Sequence, residues 1–190
     1  MNRDTKIIHA GAEPDPSYGA VSTPIFQTST YAQSAPNEHK GYDYSRAGNP
    51  TRTALETALA TLENGRHALA FSSGVAATDA VIKLLKPGDE VIAASDMYGG
   101  TYRLFSKVWE GFGLKFIYTD TTNIENVEKA VSANTKLIWA ESPTNPLMNI
   151  TDISAVALIA IKANALLCVD NTFASPYLQN PLDLGADIVM

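Results

Sequence analysis

From His67 onward, short apolar runs alternate with segments of helical period, and this alternation limits the folds open to the chain more than any single residue does. His67–Phe71, Val91–Ala94, Leu114–Tyr118, Leu137–Ala140 and Leu166–Val169 read as strands, and Ile188–Met190 reads as the start of another. Between them, a helix opens after Ser72-Ser73-Gly74 with Val75, Ala77, Val81, Leu84 and Leu85 largely apolar. Thr101–Glu110, Ile124–Val131 and Ile153–Ala163 read as further helices. Repeated β-α units of this length imply an α/β fold, a mostly parallel sheet flanked by helices. The strands are continuous apolar runs, as expected where both sheet faces are buried.

The first fifty residues are of another kind. They hold Pro14, Pro16, Pro24, Pro36 and Pro50, many Ser and Thr, and no sustained helical period. Residues 1–48 therefore read as an extended N-terminal arm, laid on its own chain or on a partner subunit. The main domain is expected over 49–190. Asn49 can cap its first helix and Pro50 suits the first turn. Ala54, Leu55, Ala58, Leu59 and Leu62 then share one face, and Asn64-Gly65 closes the helix.

Composition narrows the function classes. With 45% apolar and 18% charged residues the chain suits a globular fold. A net charge of -6 argues against nucleic acid or an anionic membrane as partner. No apolar run reaches the ~18 residues of a membrane span, and the opening stretch has no apolar signal core, so the cytoplasm is the expected compartment. Cys168 is the only cysteine, and His9, His39 and His67 lack ligand spacing, so no metal site is expected.

In open α/β sheets, ligands bind beyond the carboxyl ends of the strands. The segments there are Ser72-Ser73-Gly74, Ser95–Gly100, Glu141–Pro146 and Asp170-Asn171-Thr172, all polar or glycine-rich. Ser73-Gly74-Val75 opens a helix directly after a strand, which suits a phosphate, or equally an ordinary turn with a serine cap. Asp170, at the mouth of a buried strand, is either the partner of a cation such as a pyridinium nitrogen or a turn aspartate. Tyr98, before two glycines, can lie flat on a cofactor ring or simply pack. Tyr44 and Arg46 sit in the arm, where arginine suits forked phosphate contacts or plain solvation.

Taken in order, Tyr44-Ser45-Arg46 with Gly48-Asn49-Pro50-Thr51, Ser72–Ala77, Tyr98-Gly99-Gly100-Thr101, Glu141–Pro146 and Val169-Asp170-Asn171-Thr172 give the chain its resemblance. It resembles the Cys/Met-metabolism family of pyridoxal 5'-phosphate enzymes over nearly all 190 residues. That resemblance implies the type I fold of pyridoxal-phosphate transferases (aspartate aminotransferase-like) and pyridoxal phosphate as cofactor. Tyr44 and Arg46 would hold the phosphate of a neighbouring subunit. Ser73, Gly74 and Val75 would hold it within their own. Tyr98 would stack on the pyridine ring and take part in proton transfer. Asp170 would keep the ring nitrogen protonated, and Asn145 and Thr172 would contact the ring or its surroundings.

The implied function is transsulfuration, with cystathionine γ-synthase or γ-lyase chemistry favoured by the Tyr-Ser-Arg block. Cystathionine β-lyase, methionine γ-lyase and O-acylhomoserine sulfhydrylase are the alternatives. The implied substrates are a homoserine ester, cysteine and cystathionine, and the implied assembly is a homotetramer, a dimer of dimers. Members are about twice this length. They carry a Schiff-base lysine in a Ser-Ala-Thr-Lys segment after the strand that begins at Asp187–Met190, and then a small C-terminal domain. None of the nine lysines here stands in that position. The chain is thus expected to be an incomplete piece without that small domain, inactive and non-catalytic by itself. A different class, the α/β-hydrolases, is suggested by Ala70-Phe71-Ser72-Ser73-Gly74. It is disfavoured because no histidine follows Ser72.

Overall fold

The structure, a computed structural model, describes residues 2–190. It divides into two compact units, up to Ala70 and from Phe71.

In the first unit, α1 (Arg3–His9) and α2 (Pro50–Leu62) are joined by a long irregular stretch. Helix α1 is a departure from the expectation of an arm without helix. Its cause is local: the Asn2 side chain accepts from Thr5 N–H at 2.9 Å, and Asp4 lies in the first turn, where the helix dipole favours a negative charge. Gly11, at φ +69°, lies so close to α2 that an added Cβ would come within 2.2 Å of the Ala54 carbonyl oxygen. The start of α2 is a knot of side chains. Asn49 accepts from Thr51 N–H at 2.9 Å and donates to Phe26 O at 3.0 Å. Thr51 Oγ1 accepts from Phe26 N–H at 2.9 Å and donates to Pro24 O at 2.9 Å. Helix α2 forms over the stretch that the period predicts, yet Leu55 and Leu59 of its apolar face are exposed and no residue of the helix is fully buried.

The stretch His67–Phe71 forms no strand. A strand needs a neighbour for its backbone groups, and none of the described strands pairs with this stretch. The Ala70 N–H goes instead to the Glu56 carboxylate at 3.0 Å, and Leu69 is left 73% exposed.

The second unit is a five-stranded parallel sheet in the order β2-β1-β3-β4-β5. The strands are β1 (Glu90–Ala94), β2 (Lys115–Thr119), β3 (Thr135–Glu141), β4 (Leu166–Asp170) and β5 (Ile188–Val189). The helices are α3 (Gly74–Ile82), α4 (Gly99–Lys107), α5 (Ile124–Ala130), α6 (Ile153–Ala163) and α7 (Ser175–Leu178). Strand residues alternate between two cores. Ile92, Ile138, Ala140, Leu167 and Val169 pack with Val127 of α5 and with Ile153, Val156 and Ala160 of α6. Val91, Ala93, Leu137, Trp139 and Cys168 pack on the other face with Ile82 of α3 and Phe105 of α4. Phe105 stacks on Phe116 at 4.6 Å between ring centres and meets Trp139 edge-on at 5.5 Å.

Helix ends follow their capping residues. Asp152 accepts from Ala155 N–H at 3.0 Å to start α6, and Asn164 at φ 51° ends it. No helix among the described residues is long and apolar enough to cross a membrane.

Candidate cofactor site

The central strands β1, β3 and β4 end side by side, so the loops that follow them open onto one cavity of about 320 Å³. Its walls include Ser73, Gly74, Val75, Tyr98, Asn145, Asp170 and Thr172. Seven of the nine residues singled out in the sequence thus meet there. Tyr44 and Arg46 belong to the first unit, where the Arg46 guanidinium sits 5.0 Å over the Tyr44 ring. They are not among the residues lining the cavity.

Ser73 caps α3: its hydroxyl accepts from Ala76 N–H at 3.1 Å. The Gly74 and Val75 N–H groups, at the positive end of the helix, make no hydrogen bond to the described residues. A Cβ added at Gly74 would meet no atom within 4 Å. Two free donors beside open space are a place for an anion.

Asp170 ends β4 and is 5% exposed. Its Oδ1 accepts from Thr172 N–H at 3.1 Å and from the Thr172 hydroxyl, while Oδ2 accepts from none of the described residues. Burial pushes its carboxyl above the usual range, and the Thr172 bonds pull it part of the way back. A buried carboxylate with one unused oxygen is placed to accept from a protonated nitrogen in the cavity.

Tyr98 precedes α4 and is half-exposed. Its ring leans over Gly100, where an added Cβ would fall 2.3 Å from Cε1.

Glu141 carries no role in the sequence reading, and the structure gives it one. It ends β3 directly beside Asp170 in the ladder. Its Oε2 accepts from Tyr98 N–H at 2.8 Å and its Oε1 from Asn145 N–H at 2.7 Å. Burial raises its carboxyl to about 7. The two backbone donors oppose that shift, and the nearby Asp170 and Asp96 reinforce it. The sequence signal was the one used for Asp170, a carboxylate closing an apolar strand. The next loop is held by Asp96, which accepts from the Thr144 hydroxyl and, at 3.1 Å, from Asn149 Nδ2. Gln179 Nε2 bridges Ser142 O at 2.8 Å and Asn171 Oδ1 at 2.9 Å, tying the β3 loop to the β4 loop.

One cavity thus gathers two free amides at a helix start, a tyrosine ring and a buried acid. The family model described as Cys/Met metabolism PLP-dependent enzyme matches residues 4–190. The chain belongs to that family. It is 53% identical over 190 residues to a cystathionine γ-lyase of Bacillus subtilis, covering 100% of this chain and 50% of that protein. It is 52% identical over 187 residues to a cystathionine β-lyase of Coxiella burnetii, covering 98% of this chain and 48% of the relative. A crystal structure of metB from Corynebacterium glutamicum superposes with a TM-score of 0.97 at 53% identity, covering 100% of this chain and 50% of that one. The chain therefore spans about half the length of the curated relatives it matches. The family's cofactor is pyridoxal phosphate and its fold is the type I pyridoxal-phosphate fold. Both accord with a parallel sheet beyond whose strand ends one cavity gathers the free amides of α3 and a buried acid.

Proposed function

We propose that the chain is the cofactor-binding part of a transsulfuration enzyme, and that the cavity at the ends of β1, β3 and β4 holds pyridoxal phosphate. The observation that carries this reading is Asp170, buried, with one carboxylate oxygen unused, lining the same cavity as Gly74 and Val75, whose amides are free. Ser73, Gly74 and Val75 bind the phosphate. Tyr98 lies against the pyridine ring and is the group that moves a proton near it. Asp170 holds the proton on the ring nitrogen, and Asn145 and Thr172 contact the ring's surroundings. The cofactor supplies an electron sink for charge left at an amino acid's α-carbon.

Residues 1–48 act as an inter-subunit arm in a homo-oligomer, a dimer of dimers, bringing Tyr44 and Arg46 to a neighbour's phosphate. Residues 49–190 form the large domain.

The reaction is cleavage or replacement at a carbon–sulfur or carbon–oxygen bond of cystathionine or a homoserine ester, of γ-synthase or γ-lyase type. The 52% identity to a β-lyase supports a second reading, cleavage at the β carbon. The full protein, given cystathionine, is expected to release cysteine. Homocysteine in its place selects the β reading. Before that, pyridoxal phosphate is expected to bind saturably by equilibrium dialysis and with induced circular dichroism, and Asp170→Ala is expected to weaken binding tenfold or more. A folded protein without saturable binding refutes the cofactor assignment.

A further inference from the structure

We infer that Glu141 is a positioning residue of the cofactor cavity: one carboxylate, taking Tyr98 N–H on one oxygen and Asn145 N–H on the other, fixes the spacing of the two loops that carry those side chains. The inference deepens the cofactor-site reading above and rests on it. Tyr98 follows β1 and Asn145 follows β3, and beyond those strand ends no ladder bond joins the two loops. The Glu141 side chain replaces it, with contacts of 2.8 and 2.7 Å. A planar carboxylate sets its two acceptors at one separation, so the two backbone positions are locked to each other as well as to β3. The Tyr98 N–H also stands at the start of α4, where the helix dipole favours a negative charge.

Only a carboxylate serves both donors. Glutamine keeps the shape but offers an N–H₂ where one of the two acceptors stood, so donor faces donor. Removing one partner of a buried bond leaves a donor unsatisfied, which costs more than the bond's net worth. Aspartate is one methylene too short to span both loops. Asp96, two residues before Tyr98, is the comparison, because its side chain takes Thr144 and Asn149 of the loop after β3. It is a second tie between the loops after β1 and β3, made by a separate route that touches neither the Tyr98 nor the Asn145 amide.

The test uses the full protein, with pyridoxal phosphate as probe. In Glu141→Gln, amide hydrogen exchange at Tyr98 or Asn145 is expected to rise about tenfold or more, with Ile138 and Val169 unchanged as a check on folding. Cofactor affinity is expected to fall about tenfold. The induced circular dichroism per bound cofactor, which reports ring orientation, is expected to change. If the amides loosen while affinity and dichroism stay at wild-type values, Glu141 is a structural tie only and the inference is overturned. Unchanged amides overturn it too.

Should the variant not fold, the wild type decides by magnetic resonance. The Tyr98 and Asn145 amide protons must shift with the same midpoint as the Glu141 carboxyl carbon. Asp96 and Asp170, the other acids facing it, are followed in parallel, and amides that track either of those instead overturn the inference. A wild-type protein that binds no pyridoxal phosphate sinks the cofactor-site reading itself, and the positioning role falls with it.

Discussion

Tyr98 and Gly100 are in such close approach that a methyl group on Gly100 would lie 2.3 Å from the Tyr98 ring carbon Cε1. The second glycine after Tyr98 is therefore a seat for the ring rather than a hinge. Gly100→Ala must displace the ring, which lines the cofactor cavity. The expected outcome is a loss of pyridoxal-phosphate affinity on the order of tenfold, about 1.4 kcal/mol, by titration of the induced dichroism. Gly99→Ala is the comparison, because an added Cβ there meets nothing closer than Arg103 Nη1 at 3.4 Å. Equal losses in the two variants count against the seat.

The raised carboxyl of Glu141 has a pH consequence whose sign can be worked out. Its ordinary value is 4.5 and burial lifts it to about 7 in the folded protein. Between those values the folded form holds a proton that the unfolded form has lost. Its contribution to stability is full below the lower value and fades as pH rises through the upper one. Glutamine does not titrate. The Tm of the wild type should therefore fall relative to that of Glu141→Gln from pH 5 to pH 8, as followed by thermal unfolding. A wild-type Tm that rises relative to the variant's over that range contradicts the assignment.

Cofactor binding should move that same titration. Asp170 and Asp96 both repel a charge on Glu141. A protonated nitrogen set against Asp170 offsets part of this, so Glu141 should ionise at lower pH when pyridoxal phosphate is bound. Carboxyl resonances with and without cofactor measure it. A midpoint unmoved by saturating cofactor argues against Asp170 as the nitrogen's partner.

Phe105 is fully buried between Phe116 and Trp139. Phe105→Ala leaves a cavity against the sheet and should cost about 3–5 kcal/mol of stability in urea unfolding. A cost under about 1 kcal/mol would mean that the α4 face repacks.

Much of this architecture is legible in the sequence because the strands are apolar runs and α2, α3, α5 and α6 start at capping side chains. Helix α6 falls at its expected bounds, Ile153–Ala163, between Asp152 and Asn164. Strand ends shift by a residue or two, since Glu90, Thr135, Glu141 and Asp170 join the ladder as polar termini that an apolar count omits. His67–Phe71 shows the limit of that reasoning: apolar content signals a strand, but pairing requires a neighbour, and none of the described strands supplies one. Helix α1 was hidden by the prolines that follow it.

The cavity residues just beyond strand ends are legible from the rule that loops there carry ligands. Glu141 was not found, because its partners, Tyr98 and Asn145, become neighbours only once β1 and β3 are known to be adjacent. Thr78 and Met190, which also line the cavity, share that difficulty.

The Thr78 hydroxyl lies 3.2 Å from the Met190 sulfur, across 112 positions of sequence. At synthesis rates of roughly 5–20 residues per second, one wall of the cavity emerges on the order of ten seconds before the other. Throughout that interval the nascent chain carries half a binding cleft with its apolar lining in water. The cavity cannot close before Met190 meets Thr78, so cofactor affinity should follow assembly of the sheet and not precede it. A chaperone that shields the stretch from α3 to β4 would act on the one period when the future site is a liability.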